Sequence, residues 1–255
     1  MPRPDRSPID TGVQWLRPDW PAATNVYAGT SLRGGGVSTV PYASLNLGLH
    51  VGDDPHAVAE NRRRLGLPAE PRWLTQIHST RVIDADASRA ENFPPEADGA
   101  FSSRAGTVCA VMTADCLPLL LCDRPGTRVA AVHAGWRGLA DGAIEAGVMA
   151  LGAAPTELLA WLGPAIGAAA YEVGDEVRAA FVAHDPAAGE AFTAAKPRHW
   201  MMDIYALARQ RLAACGVHAV YGGTECTHSQ AEEFYSYRRD GTTGRMVTAI
   251  WFDSR

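Results

Sequence analysis

Thr107-Val-Cys-Ala-Val-Met-Thr113, Leu117-Pro-Leu-Leu-Leu-Cys122 and Arg128-Val-Ala-Ala-Val-His133 follow one another with only short polar breaks between them. Each run is too short for a helix, and Gly, Pro or Asp stands at its borders, which is the pattern of buried strands. Working outward, Arg72–Ile77, Arg81–Ala85 and Leu158–Leu162 read as further strands, and Val217–Tyr221 with Met246–Phe252 as those that close the sheet. Helical stretches lie between them. Pro55–Leu67 starts from Asp53-Asp54-Pro55 and stops at Gly66 and Pro68, and Ala140–Leu151 ends in Gly152. Gly174–Ala183 and Asp203–Cys215 are amphipathic, the second with an Asp N-cap and a stop at Gly216. Strands and helices mix without strict βαβ alternation. The expected fold is therefore a single α/β domain, residues 25–255, with mixed β-sheets flanked by helices rather than a doubly wound nucleotide fold. Residues 1–24, rich in Pro and Asp, read as a loose N-terminal arm. Gly34-Gly-Gly36 reads as a turn; no GKS or GKT follows it, so it is not a phosphate-binding P-loop.

The composition narrows the function classes. A net charge of -5 carries no basic footprint for nucleic acid. No stretch approaches the length of a membrane span, and the longest apolar run, Leu117–Cys122, contains Pro118. The N-terminal residues lack the apolar segment of a secretory signal. Five cysteines, an odd count without framework spacing, point to free thiols in a reducing compartment, and so to a cytoplasmic protein.

His78, Cys116 and His133 each sit at or just beyond the end of an apolar run. Two imidazoles and a thiolate would give a metal three protein ligands, leaving the fourth tetrahedral position open as catalytic zinc requires. The three are far apart in sequence, with no CxxC or HExxH spacing. On residue types alone, a hydrogen-bonded histidine at a strand end and a cysteine acting as a small buried hydrophobe stay open as alternatives.

Wider phrases surround them: Ser44-Leu-Asn-Leu-Gly48 with His50-Val-Gly-Asp-Asp54, Ala97-Asp-Gly99, Thr113-Ala-Asp-Cys116 and His133-Ala-Gly-Trp-Arg-Gly138. Leu162-Gly-Pro-Ala-Ile-Gly167, Tyr171-Glu-Val-Gly174, Phe234-Tyr-Ser-Tyr-Arg-Arg239 and Thr243-Gly-Arg245 complete the set. Together, from about Tyr27 to Phe252, they closely resemble the laccase-domain family, also called polyphenol oxidase or multicopper oxidase-like. The resemblance implies a layered fold akin to a bacterial toxin deamidase. It implies a metal on His78, Cys116 and His133, zinc with copper as the alternative occupant. It further implies phosphorolysis of adenosine, inosine, guanosine and methylthioadenosine, and deamination of adenosine. Many relatives carry a cysteine just before the Tyr-Glu-Val phrase, where this chain has Ala169-Ala170, so no role for a thiol there carries over.

Around the triad, Asp115 reads either as an acid/base and orienter of the ligand or as a partner of the turn backbone. Arg137, at an expected helix start, suits phosphate or a structural ion pair. Gln76 lies two residues before His78 on the same strand face and could share a substrate pocket. Arg238, Arg239 and Arg245 either add positive potential for phosphate or line a solvated hairpin. Cys226 is a less favoured fourth ligand, and His50 and His228 are pocket candidates. Three rivals remain. A copper oxidase needs more imidazoles than the eight histidines offer without paired HxH segments. A metal-free hydrolase would use Cys116 as nucleophile and His133 as base but has no need of His78. An interaction module would need none of these ligand-type residues. The HxE and PCxxC signatures of zinc nucleobase deaminases are absent.

Overall fold

In a computed structural model that describes residues 12–87 and 94–254, strands and helices alternate irregularly. The first half contains β1 (Trp15–Leu16), β2 (Val26–Ser31), α1 (Pro55–Arg64), β3 (Val82–Asp84), β4 (Gly99–Ser102), β5 (Cys109–Thr113), β6 (Leu117–Asp123) and β7 (Val129–Ala134). Then come α2 (Trp136–Asp141), α3 (Ala143–Leu151), β8 (Leu158–Leu162), β9 (Glu172–Gly174), α4 (Asp175–His184), β10 (Phe192–Lys196) and β11 (His199–Met202). The last elements are α5 (Ile204–Ala214), β12 (Ala219–Gly222), α6 (Tyr237–Asp240) and β13 (Met246–Phe252).

These strands form three sheets, with orders β12-β8-β6-β7-β4-β3, β1-β2-β13-β5 and β10-β11-β9. The largest is mixed: β12 runs parallel to β8 and β3 to β4, while the central pairs are antiparallel. The expected α/β class with mixed sheets is the observed one. Strand alternation explains the layers. Leu120 and Cys122 of β6 with Val129 and Ala131 of β7 face Cys109 and Val111 of β5 and Ile250 of β13, making a core between the two larger sheets. Leu119, Leu121, Ala130 and Val132 point the other way, onto Ile144 and Val148 of α3 and Leu212 of α5. Strands covered on both faces read as unbroken apolar runs, which is why β6 stands out in the sequence.

Several expectations need correction. Val217–Tyr221 and Met246–Phe252 do not finish one sheet: β12 edges the six-stranded sheet and β13 lies inside the four-stranded one. Of the expected arm, residues 1–11 lie outside the described residues, but the remainder is docked. Trp15 and Leu16 pair with β2, and Trp20 and Ala22 are buried in the inter-sheet core. Arg72–Ile77 is not a strand; only Thr75 makes a bridge, to Glu96. The helix expected over Ala140–Leu151 starts earlier, at Trp136, and breaks at Gly142, whose φ of 106° is open to glycine but not to a helix. The ends of α1 and α5 follow their signals: Asp54 and Asp203 accept N-cap hydrogen bonds from His56 and Ala206.

Candidate metal centre

The turn after Ile77 is built around one buried carboxylate. Asp98 accepts hydrogen bonds from the backbone N–H groups of Ile77 (3.2 Å), His78 (2.9 Å) and Ser79 (2.6 Å), and from the Ser79 hydroxyl (2.8 Å). That cage holds His78 at φ 61°, a left-handed conformation unfavourable for a side chain of this size. The same carboxylate bonds Nδ1 of His133 at 2.8 Å, so the ring turns its Nε2 toward the other ligands. Burial works against the Asp98 charge, but the hydrogen bonds from His133 and Ser79 outweigh it and hold the carboxyl down at about 2.

Cys116 comes from the β5–β6 connection. Its neighbour Asp115 is left-handed, φ 99°, and is held on both oxygens: the Thr227 hydroxyl donates to Oδ1 at 2.6 Å and the Arg238 backbone N–H to Oδ2 at 2.7 Å. The Asp115 carbonyl accepts from Ile166 N–H at 2.9 Å. Three segments distant in sequence thus fix the residue beside the thiol.

His78, Cys116 and His133 are thereby brought together. Their ligand atoms all lie within 4.8 Å of one another, with Cys116 Sγ 3.8 Å from His78 Nε2. The two imidazoles meet edge to face, centroids 4.9 Å apart. Among the described residues this is the one such cluster of metal-ligating side chains. Burial pushes the Cys116 thiol up, but the charge and hydrogen bond of His133 and the hydrogen bond of His78 bring it down to about 6. His133 moves oppositely: burial lowers it, and Cys116 and Asp98 together raise it to about 9. Each group favours the charged form of the other, and a metal bound there would take the place of their protons. Gly135 completes the cradle. A Cβ there would stand 2.5 Å from Cδ2 of His78 and 3.1 Å from Cys116 Sγ, so only glycine leaves room. Two imidazoles, one acidic thiol, a carboxylate-held ring and a cleared approach fit a borderline cation with an open coordination position.

The other expected residues divide. Arg137, the second residue of α2, is exposed and lies over the Trp136 ring at 4.3 Å; among the described residues it has no ion pair. Arg238 packs over Tyr171 at 5.3 Å and donates to the Glu172 carbonyl. Burial raises the Tyr171 phenol, the Cys116 charge adds to that, and the Arg238 charge opposes it. Burial lowers Arg245, and the Cys116 and Asp115 charges oppose it; His50 is lowered by burial and then by Arg245.

Gln76 is tied to the edge of a sheet. Its amide donates to the Met112 carbonyl (2.8 Å) and accepts from the Met112 N–H (2.7 Å), substituting for a strand along the edge of β5. Arg239 is spent on the carbonyls of Thr227, His228 and Phe234. Cys226 is no fourth ligand. Its Sγ accepts from Gly167 N–H at 3.2 Å in a separate cleft of about 580 Å³, shared with His228 and Arg209. Asp98 was not among the expected site residues, although Ala97-Asp-Gly99 is one of the recurring phrases. Its partners lie 20 and 35 residues away, beyond any local signal.

Residues 27–253 match the family model described as multi-copper polyphenol oxidoreductase laccase. A Pseudomonas aeruginosa protein named purine nucleoside phosphorylase is 56% identical over 240 residues, covering 93% of this chain and 98% of its own. The Escherichia coli (strain K12) purine nucleoside phosphorylase YfiH is 52% identical over 238 residues, 92% of this chain and 97% of its own. Among solved structures, a Neisseria meningitidis protein superposes with a TM-score of 0.90 at 50% identity, covering 94% of this chain and 99% of that one. The chain belongs to the laccase-domain family.

Proposed function

We propose that the protein is a cytoplasmic zinc-dependent purine nucleoside phosphorylase, acting on adenosine, inosine, guanosine and methylthioadenosine, with adenosine deaminase activity. The observation that carries this reading is the convergence of His78, Cys116 and His133 in one glycine-cleared cradle, in a chain 56% identical to a protein bearing that name. The location rests on five cysteines that are all free.

In phosphorolysis a phosphate oxygen attacks the anomeric carbon of the ribose, the glycosidic C–N bond breaks, and the purine leaves with a proton. In deamination water adds to the purine carbon bearing the amino group and ammonia leaves. Zinc, when bound, supplies a Lewis acid that polarises an oxygen ligand. The chain does the rest. His78, Cys116 and His133 hold the cation, and Asp98 fixes the His133 ring. Arg137, four residues after His133, and Arg238, whose backbone N–H holds Asp115, are exposed and draw phosphate toward the centre. Asp115 acts as a positioning residue, since both its oxygens are engaged by Thr227 and Arg238.

The test is chromatography of adenosine incubated with the protein, with and without phosphate. Adenine or hypoxanthine with ribose 1-phosphate, formed only with phosphate, is the expected result. No product from any purine nucleoside overturns the reading. One observation favours a second: Cys116, His133 and Asp98 line up as thiol, base and carboxylate, as a metal-free cysteine hydrolase would require. Activity that survives chelation but not alkylation would select it.

A further inference from the structure

Tyr171, Tyr205 and Tyr235 are the buried tyrosines among the described residues, and two of them use their hydroxyls inside the fold. Tyr205 accepts from the Ala165 N–H at 2.7 Å and donates to the Glu225 carbonyl at 2.9 Å. Tyr235 donates to the Tyr42 carbonyl at 2.7 Å. Tyr171 is the exception. It is 8% exposed, yet its hydroxyl has no hydrogen-bond partner among the described residues. Nor is its oxygen sealed in, as the unpaired hydroxyls of Thr113 and Thr243 are. A packed ring with an unpaired but open hydroxyl presents a fixed donor to whatever enters from solvent.

Contacts tie that ring to the metal centre. Asp115, the residue beside the Cys116 ligand, anchors two segments: its carbonyl accepts from the Ile166 N–H at 2.9 Å, and its Oδ2 from the Arg238 N–H at 2.7 Å. Tyr171 follows Ile166 across a short turn, closed by the Ala170 N–H on the Gly167 carbonyl at 2.9 Å. From the second segment the Arg238 guanidinium lies over the Tyr171 ring at 5.3 Å and donates to the Glu172 carbonyl at 2.7 Å. Its other nitrogens have no partner among the described residues. The electrostatics agree. After burial, the largest influence on the Tyr171 phenol is the Cys116 charge; on Tyr205 it is the Ala165 N–H, and on Tyr235 the Arg33 charge. Burial and the Cys116 charge both hold the proton on Tyr171, so it stays a donor.

We propose that Tyr171 is a substrate-binding residue whose hydroxyl donates a hydrogen bond to a phosphate oxygen held by Arg238 beside the His78–Cys116–His133 cradle. The assignment rests on the phosphorylase reading. It divides the work between two neighbours: the exposed Arg238 charge draws the anion in, and the packed Tyr171 orients it.

The test is calorimetric titration of zinc-loaded protein with inorganic phosphate, alongside melting of the phosphate-free protein, for wild type, Tyr171→Phe and Tyr205→Phe. Tyr171→Phe should bind phosphate about tenfold more weakly, the scale of one lost hydrogen bond to an anion. It should keep its full metal content and melt within about 2 °C of wild type, because no internal hydrogen bond has gone. Tyr205→Phe should do the reverse, binding phosphate as wild type does but melting lower, because the Ala165 N–H loses its acceptor. Tyr171→Phe that binds phosphate as wild type does, loses metal, or melts well below wild type would overturn the assignment alone. So would Tyr205→Phe that weakens phosphate binding as much. Wild-type protein that binds no phosphate would overturn the phosphorolysis reading together with it.

Discussion

Cys116 and Cys226 are both part-buried thiols whose surroundings make them more acidic, but by different means. At Cys226, burial raises the thiol, and hydrogen bonds from Ser229, Gly167 and His228, mostly backbone amides, lower it past its ordinary value. At Cys116 the stabilising partners are two imidazoles, and one of them is fixed by a carboxylate. Backbone amides can stabilise a thiolate but cannot ligate a cation. The difference is one of convergence: a lowered thiol marks a metal centre only where other side-chain donors share its space.

The largest expected contrast is between Cys116→Ser and Cys226→Ser. The first should strip the metal and reduce phosphorolysis by on the order of a thousandfold, as the loss of a core catalytic group does. Metal analysis and turnover of the two variants side by side would break the comparison if both lost metal. Next comes Gly135→Ala, whose methyl would press on His78 and Cys116. A displacement of that kind costs on the order of a hundredfold in turnover. Unchanged turnover would show that the cradle is looser than the distances imply.

Asp98→Asn keeps the shape but not the charge, and should weaken metal binding by about 10–100-fold in a chelator competition. It also has a pH signature. The native Asp98 carboxyl is depressed to about 2 from an ordinary 3.8. Its stabilisation, roughly 2 kcal/mol, is therefore fully present above about pH 4 and drains away as pH falls toward 2. The melting difference between wild type and Asp98→Asn should be constant at pH 5–6 and shrink below pH 4; a gap that widens on acidification would contradict this. The smallest effect belongs to Cys226→Ser, with full metal content and stability within about 1 kcal/mol of wild type by denaturant melting.

Elements covered on both faces were the most legible. β6, β8 and β13 announce themselves as apolar runs, and β13 spans the expected Met246–Phe252. β4 is Gly-Ala-Phe-Ser, whose small residues let it lie against its neighbours (a Cβ on Gly99 would meet Val82 at 3.0 Å), and small residues carry little strand signal. β2 mixes Val and Tyr with Ala, Gly and Thr and is equally quiet. Arg72–Ile77 was misread because its job is done by a side chain: the Gln76 amide imitates a strand's backbone, which no periodicity registers. The three ligands stood out as His and Cys at the ends of apolar runs, but only the resemblance to the laccase-domain family joined them into one site. Asp98 and Gly135 could not stand out, since a carboxylate and a glycine acquire meaning only from what lies against them.

X-ray absorption at the zinc edge, on protein whose metal content has been counted, tests the central claim most directly. One zinc per chain is expected, with a single sulfur at about 2.3 Å, two nitrogens at about 2.0–2.1 Å and one further light-atom ligand. A closed shell with two sulfurs, several coppers per chain, or no bound metal would contradict a three-ligand centre built from His78, Cys116 and His133.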